Sequence, residues 1–234
     1  MINLITQEVL KQLQTAQSSS SSASPASPQV TVAGEGTLLS ELRPNAKVAD
    51  VKRLIEAARQ YQNFAICIPQ WFVDFAKTEL AGANTKVATI VGLPEGTSFP
   101  LAKYAEIKQA VAAGADIVLV PVNMDFCRAG DLTSLQKDLA ESLTASKGKV
   151  PAAAVIEVSG MDKNGLVEAA AACVSAGAEV VVLSAIAGGS VDAEVVKAVK
   201  AKGIKVGVIG GASNESAMKN YQAAGADWLV VRYR

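Results

Sequence analysis

Three times the chain writes Ala-Gly-Ala-acid followed by an apolar run: AGADIVLV from Ala113, AGAEVVVL from Ala176 and AGADWLVV from Ala224. Each reads as a helix end, a tight turn and a buried strand. The glycine suits a helix C-terminus, where a left-handed backbone costs a residue with a Cβ more. The run that follows does not alternate, the pattern of a parallel strand covered on both faces. The repeats open 63 and 48 residues apart, too long for one strand–helix unit and about right for two. Each gap therefore holds a further strand, Ala152 to Val158 in the first and Ile204 to Ile209 in the second. Upstream, Phe64 to Ile68 and Val87 to Val91 have the same character, and a shorter Val30 to Ala33 segment opens the series. Eight strands alternating with helices predict an α/β fold, a closed (β/α)8 TIM barrel over residues 30–234.

The composition fits a chain with a sizeable core: 50% hydrophobic, 5% aromatic and 19% charged. Basic and acidic residues balance at 22 each, so no net field draws the chain to nucleic acid or to an anionic membrane. No apolar stretch is continuous enough to span a bilayer. Cys67, Cys127 and Cys173 have no CxxC spacing and an odd count. That pattern points to free thiols in a reducing cytoplasm rather than to disulfides or a metal site.

The first thirty residues do not belong to the barrel. Residues 1–15 place Ile2, Ile5, Val9 and Leu13 near one face at helical spacing, and residues 16–29 form a Ser/Ala/Pro-rich linker. An amphipathic helix on a flexible tether buries its stripe against something outside its own domain. The layout resembles the encapsulation peptides that direct enzymes into bacterial microcompartments, which implies a shell protein as partner for residues 1–14. The alternative is a helix that packs on its own barrel or on a sister subunit.

The chain has no histidine, which removes the commonest general base and metal ligand together. Lysine Schiff-base chemistry is then the natural expectation for carbonyl chemistry in a barrel of this kind.

Thr37-Leu38-Leu39, Ala65 to Pro69 (AICIP), Val87 to Gly96 (VATIVGLPEG), Gly114-Ala115-Asp116, Val155-Ile156-Glu157 and Gly210-Gly211 follow one another in a recognisable order. That order and spacing resemble the deoxyribose-phosphate aldolase family, and VGLPEG is similar to its IGFPLG signature. The resemblance implies a class I aldolase on a TIM barrel, with a Schiff-base lysine on strand six. A second lysine on strand seven and an aspartate on strand four assist, no metal or other cofactor is needed, and homo-oligomers are common. Carried over residue by residue, the Schiff-base lysine falls on Val182, the strand-seven lysine on Gly207 and the strand-four aspartate on Leu119. A further family lysine on strand five falls on Ala153. The expectation is a divergent member without Schiff-base chemistry, because a buried lysine and its carboxylate are retained for what their shifted pKa values do.

The positions left for binding lie at strand C-terminal ends, where barrel sites are built. The resemblance implies a phosphate held at Gly210 and Gly211; a strand–helix turn that requires glycine reads equally well. Arg232, where the family has a serine, offers a phosphate a bidentate fork or is simply a polar chain end. Asn123 and Ser184 complete the ligand candidates. Glu157, placed to orient a substrate hydroxyl, and Lys205 are the weak catalytic candidates. Two functions follow: a microcompartment cargo that binds a sugar phosphate or small anion, or serves as a structural or regulatory partner; or a working lyase with other catalytic groups. Asp116, Glu179 and Asp227, recurring at strand starts, read as structural.

Overall fold

The computed structural model describes residues 36–93, 95–210 and 215–233. Eight parallel strands close into a barrel in chain order. They are β1 (Thr37–Ser40), β2 (Ala65–Pro69), β3 (Lys86–Ile90), β4 (Ile117–Pro121), β5 (Ala152–Glu157), β6 (Val180–Ser184), β7 (Val206–Ile209) and β8 (Trp228–Arg232). Around them run α1 (Val48–Tyr61), α2 (Val73–Glu79), α3 (Pro100–Ala112), α4 (Met124–Ala129), α5 (Leu132–Leu143), α6 (Lys163–Ser175), α7 (Ala193–Lys200) and α8 (Glu215–Ala223). The TIM barrel expected from the repeats is therefore the fold of this chain.

One strand is corrected. The first strand is Thr37–Ser40, not Val30 to Ala33, and it pairs with β2 on one side and β8 on the other. The barrel closes with Leu38 in its core, so nothing is left for the earlier segment to complete. Four residues ending next to Glu41 are a weak sequence signal, yet all four are buried. The segment 30–33, the docking helix at 1–15 with Ile2, Ile5, Val9 and Leu13, and the linker at 16–29 lie outside the described residues.

Alternate residues of each strand point inward and make one apolar interior. Leu38, Ala65, Cys67, Ala88, Ile90, Ile117, Leu119, Ala153, Val155, Val180, Val182, Ile209 and Val230 pack together there. Small residues on some strands face large ones on others, which lets the layers interdigitate. At the N-terminal end Phe64 and Trp228 close the floor, ring centroids 5.9 Å apart, with the Lys86 ammonium 4.9 Å over the Phe64 ring.

The repeats acquire a physical meaning here. Asp116 opens its repeat's strand by donating its N–H to the Val87 carbonyl and accepting the Val87 N–H on Oδ2. Asp227 does the same to Val206. Both carboxylates also bind a lysine of the helix before the preceding strand, Lys77 and Lys200 respectively.

At the other end, the helices start on side-chain caps. Asn123, Asp131, Asp162 and Asp192 each accept a backbone N–H of the first turn of α4, α5, α6 and α7. Those caps fix the loops that surround the C-terminal mouth.

Candidate functional site

The mouth is the next inward layer beyond the apolar interior. Glu157 lies two residues past Val155, Ser184 two past Val182 and Arg232 two past Val230, so all three share the inward register. Ser40 faces Arg232 across the β1–β8 seam. Glu157 and Ser184 are cross-strand partners, and the Ser184 hydroxyl donates to Glu157 Oε2 at 2.8 Å. The Ala187 N–H reaches the same oxygen at 3.4 Å, and the Ile186 N–H donates to Ser184 Oγ at 3.3 Å. Oε1 of Glu157 is buried and accepts no hydrogen bond from a described residue.

Four of the expected ligand positions lie at or beyond strand C-terminal ends, with differing tasks. Ser184 is 2% exposed and its hydroxyl is already committed to Glu157. Gly210 has φ +79, and a Cβ there would lie 2.8 Å from the Ala185 carbonyl carbon. Close approach to the end of β6 thus demands glycine whether or not anything binds. Gly211 lies outside the described residues. Arg232 is exposed at the end of β8. Asn123 caps α4 through its side chain and lines a cavity of about 330 Å³ with Phe99, Phe126, Ser134 and Asp138.

Lys205 is not brought to Glu157. It is exposed and precedes the first residue of β7, at the floor, whereas Glu157 is the last residue of β5, at the mouth. Leu119, Ala153 and Val182 are fully buried in the interior. Gly207 backs onto them: a Cβ there would meet Val182 Cγ2 at 3.1 Å and Trp228 Cβ at 3.2 Å. The interior is filled at the level where an inward-facing amine would have to stand. Cys67 is part of it, and burial pushes its thiol up to about 12. Cys127 is likewise buried, its thiol pushed up to about 11 by desolvation against the opposing charge of Arg128. Among the described residues no group of three or more His, Cys, Asp or Glu could hold a metal ion, and no helix is long and apolar enough to cross a membrane.

With this geometry in view, the likeness to known proteins is specific. The chain is 34% identical over 189 residues to the deoxyribose-phosphate aldolase of Bacillus cereus strain AH187, covering 79% of this chain and 85% of that one. The chain belongs to the deoxyribose-phosphate aldolase family. The family's Bacillus mycoides member is 36% identical over 140 residues, and there the match spans only 63% of the relative's length. Among solved structures, a Coccidioides immitis protein assigned to deoxyribose-phosphate aldolase superposes with a TM-score of 0.80 at 22% identity, covering 89% of this chain and 85% of that one. The tetrameric deoxyribose-phosphate aldolase of Aeropyrum pernix superposes with a TM-score of 0.75 at 19% identity, covering 84% and 85%. Both share the fold. No family model matches the chain.

One pair in this deoxyribose-phosphate aldolase family member was not foreseen. Lys103 of α3 is fully buried; its ammonium pairs with the Asp138 carboxylate of α5 and donates to the Gly96 carbonyl at 3.0 Å. Burial pushes Asp138 up, against the pull of the Lys103 hydrogen bond and charge. The pair ties the loop after β3 to the helix layer beside the Asn123 cavity. The signal was available: Lys103 stands in a buried stripe with Ile107 and Ala110, and Asp138 in one with Leu135, Leu139 and Ser142. Opposite charges inside two successive apolar stripes are a sequence-level sign of a buried pair.

Proposed function

We propose that this family member is an aldolase-like barrel that does not carry out Schiff-base aldol chemistry. It binds a sugar phosphate or another small anion at the C-terminal mouth, with Arg232, Gly210 and Gly211 offered to the anion and Ser184 with Glu157 completing the mouth beside Gly210. One observation carries the reading. The positions that correspond to the family's ionisable groups are Leu119, Ala153, Val182 and Gly207, and the three with side chains are fully buried in an apolar interior. An imine needs a nucleophilic amine at the carbonyl carbon. None of these side chains supplies one.

The test is reductive trapping. Incubation with deoxyribose 5-phosphate or acetaldehyde and borohydride, followed by intact-mass measurement, is expected to leave the mass unchanged. A stable adduct mapped to a barrel lysine would restore the working-lyase reading. The anion side is tested by calorimetric titration with inorganic phosphate. Arg232→Ala is expected to weaken binding several-fold, since it removes a charge-assisted contact.

The N-terminal segment completes the proposal. Residues 1–14 dock the barrel, as a homo-oligomer, on a shell protein of a bacterial microcompartment, through Ile2, Ile5, Val9 and Leu13. Deleting 1–14 is expected to abolish co-assembly with shell proteins and to leave the melting temperature of the barrel unchanged. Undiminished co-assembly would remove the docking role.

A further inference from the structure

We infer that Glu157, held by Ser184, is the specificity-determining acceptor of the mouth: it takes a hydrogen bond from a hydroxyl of the ligand and selects hydroxylated phosphates over their deoxy analogues. This rests on the reading of the mouth as an anion-binding site.

The two carboxylate oxygens of Glu157 are unequal. Oε2 accepts from Ser184 Oγ and from the Ala187 N–H, while Oε1 is buried and accepts from no described residue. A carboxylate oxygen removed from water without a donor is costly, and the cost vanishes when a donor arrives. Ser184 cannot be that second donor. Its single proton goes to Oε2, and its oxygen is occupied by the Ile186 N–H. With Ser184 2% exposed, the carboxylate is locked in one orientation before any ligand enters.

The surroundings decide what kind of group completes the site. No salt bridge to Glu157 forms among the described residues, so the phosphate of a ligand is repelled by this carboxylate. Arg232 stands three strands further round the barrel, roughly 14 Å along the wall at the usual strand spacing. A ligand whose anionic end lies near Arg232 turns its neutral hydroxyl end to Glu157. The element over that end is able to yield. Residues 186–190 are exposed, Gly188 and Gly189 have φ of +134 and +85, and the Ala187 amide holds Oε2 at only 3.4 Å. On this inference, an outward shift of this loop admits the ligand hydroxyl to Oε1.

The experiment is calorimetric titration of the full chain with inorganic phosphate, propyl phosphate and glycerol 3-phosphate, repeated on Glu157→Gln and Ser184→Ala. Wild type is expected to bind glycerol 3-phosphate at least tenfold more tightly than propyl phosphate, the margin of one good hydrogen bond to a charged group. Glu157→Gln is expected to reduce that ratio to about twofold or less. Ser184→Ala, which leaves the carboxylate but frees it, is expected to give an intermediate ratio. Equal binding of the two organic phosphates by wild type, or an undiminished ratio in Glu157→Gln, overturns the inference and leaves the anion site standing. Failure of all three phosphates to bind wild type overturns both. Equal wild-type binding overturns the inference even if a variant does not fold.

Discussion

Asp116 shows how much one carboxylate does at a strand entrance. Its main chain donates to Val87 at 2.8 Å, Oδ2 accepts the Val87 N–H at 2.8 Å, and both oxygens hold the Lys77 ammonium at 2.9 Å. Glu179, at the same place in the second repeat, has the main-chain bond to Ala152 at 2.9 Å, and its side chain is exposed. Asp116→Ala is expected to cost about 1–2 kcal/mol in urea unfolding, chiefly through the lost hydrogen bond to the strand, because the lysine pair is partly exposed. Glu179→Ala is expected to stay within about 0.5 kcal/mol. Equal losses in the two variants would refute the clamp. Glu41 gives a pH-dependent counterpart. Burial raises its pKa, but the hydrogen bonds and charge of Arg43 outweigh it and hold the carboxyl below the usual range. A depressed folded-state pKa means that the stabilisation is complete above the unfolded value and is lost as pH falls through the folded one. Glu41→Gln should therefore narrow its stability deficit against wild type as pH is lowered from 7 toward 3, read from melting temperatures.

At the scale of elements, the α3–α5 contact is organised by Lys103 and Asp138 in stripes that are otherwise apolar or small. Removing one partner strands the other in a dry interface. Lys103→Met is expected to cost about 3–5 kcal/mol, and adding Asp138→Leu to recover most of it, since a buried pair contributes little over an apolar replacement. If the double variant is as unstable as the single one, the Lys103 bond to Gly96, rather than the ion pair, holds the contact. The backbone of Gly96 is itself constrained: a Cβ there would lie 2.3 Å from the Pro121 carbonyl oxygen. The VGLPEG segment therefore combines a family signature with a steric requirement, and Lys103, on the same helix face as Ile107 and Ala110, bonds to its last residue.

For the whole molecule, the closed apolar interior governs what can be installed in it. Val182→Lys would place an ammonium among Leu119, Ala153, Val155 and Val180, with no carboxylate in that layer. Desolvation would depress its pKa, so the unfolded chain binds the extra proton more readily and stability rises with pH. The melting-temperature deficit of Val182→Lys is expected to be largest at neutral pH and to shrink toward pH 10. A deficit independent of pH would mean that the amine escapes to solvent.

The sequence by itself determined the barrel. Three unalternating runs behind helix-ending glycines leave few alternatives, since parallel strands buried on both faces need helices outside them. Leu119, Ala153 and Val182, singled out through the family resemblance, lie in the buried interior. The sequence misplaced the first strand, because four residues carry too little pattern to outweigh an apolar segment a few positions earlier. Only the tertiary structure decided which side chains meet. Glu157 and Lys205 lie at opposite ends of the barrel, Ser184 is spent on Glu157, and Lys103 finds Asp138 across 35 residues of chain. Periodicity reports which face a residue occupies, whereas partnership depends on register between strands and packing between helices, which only closure of the barrel sets.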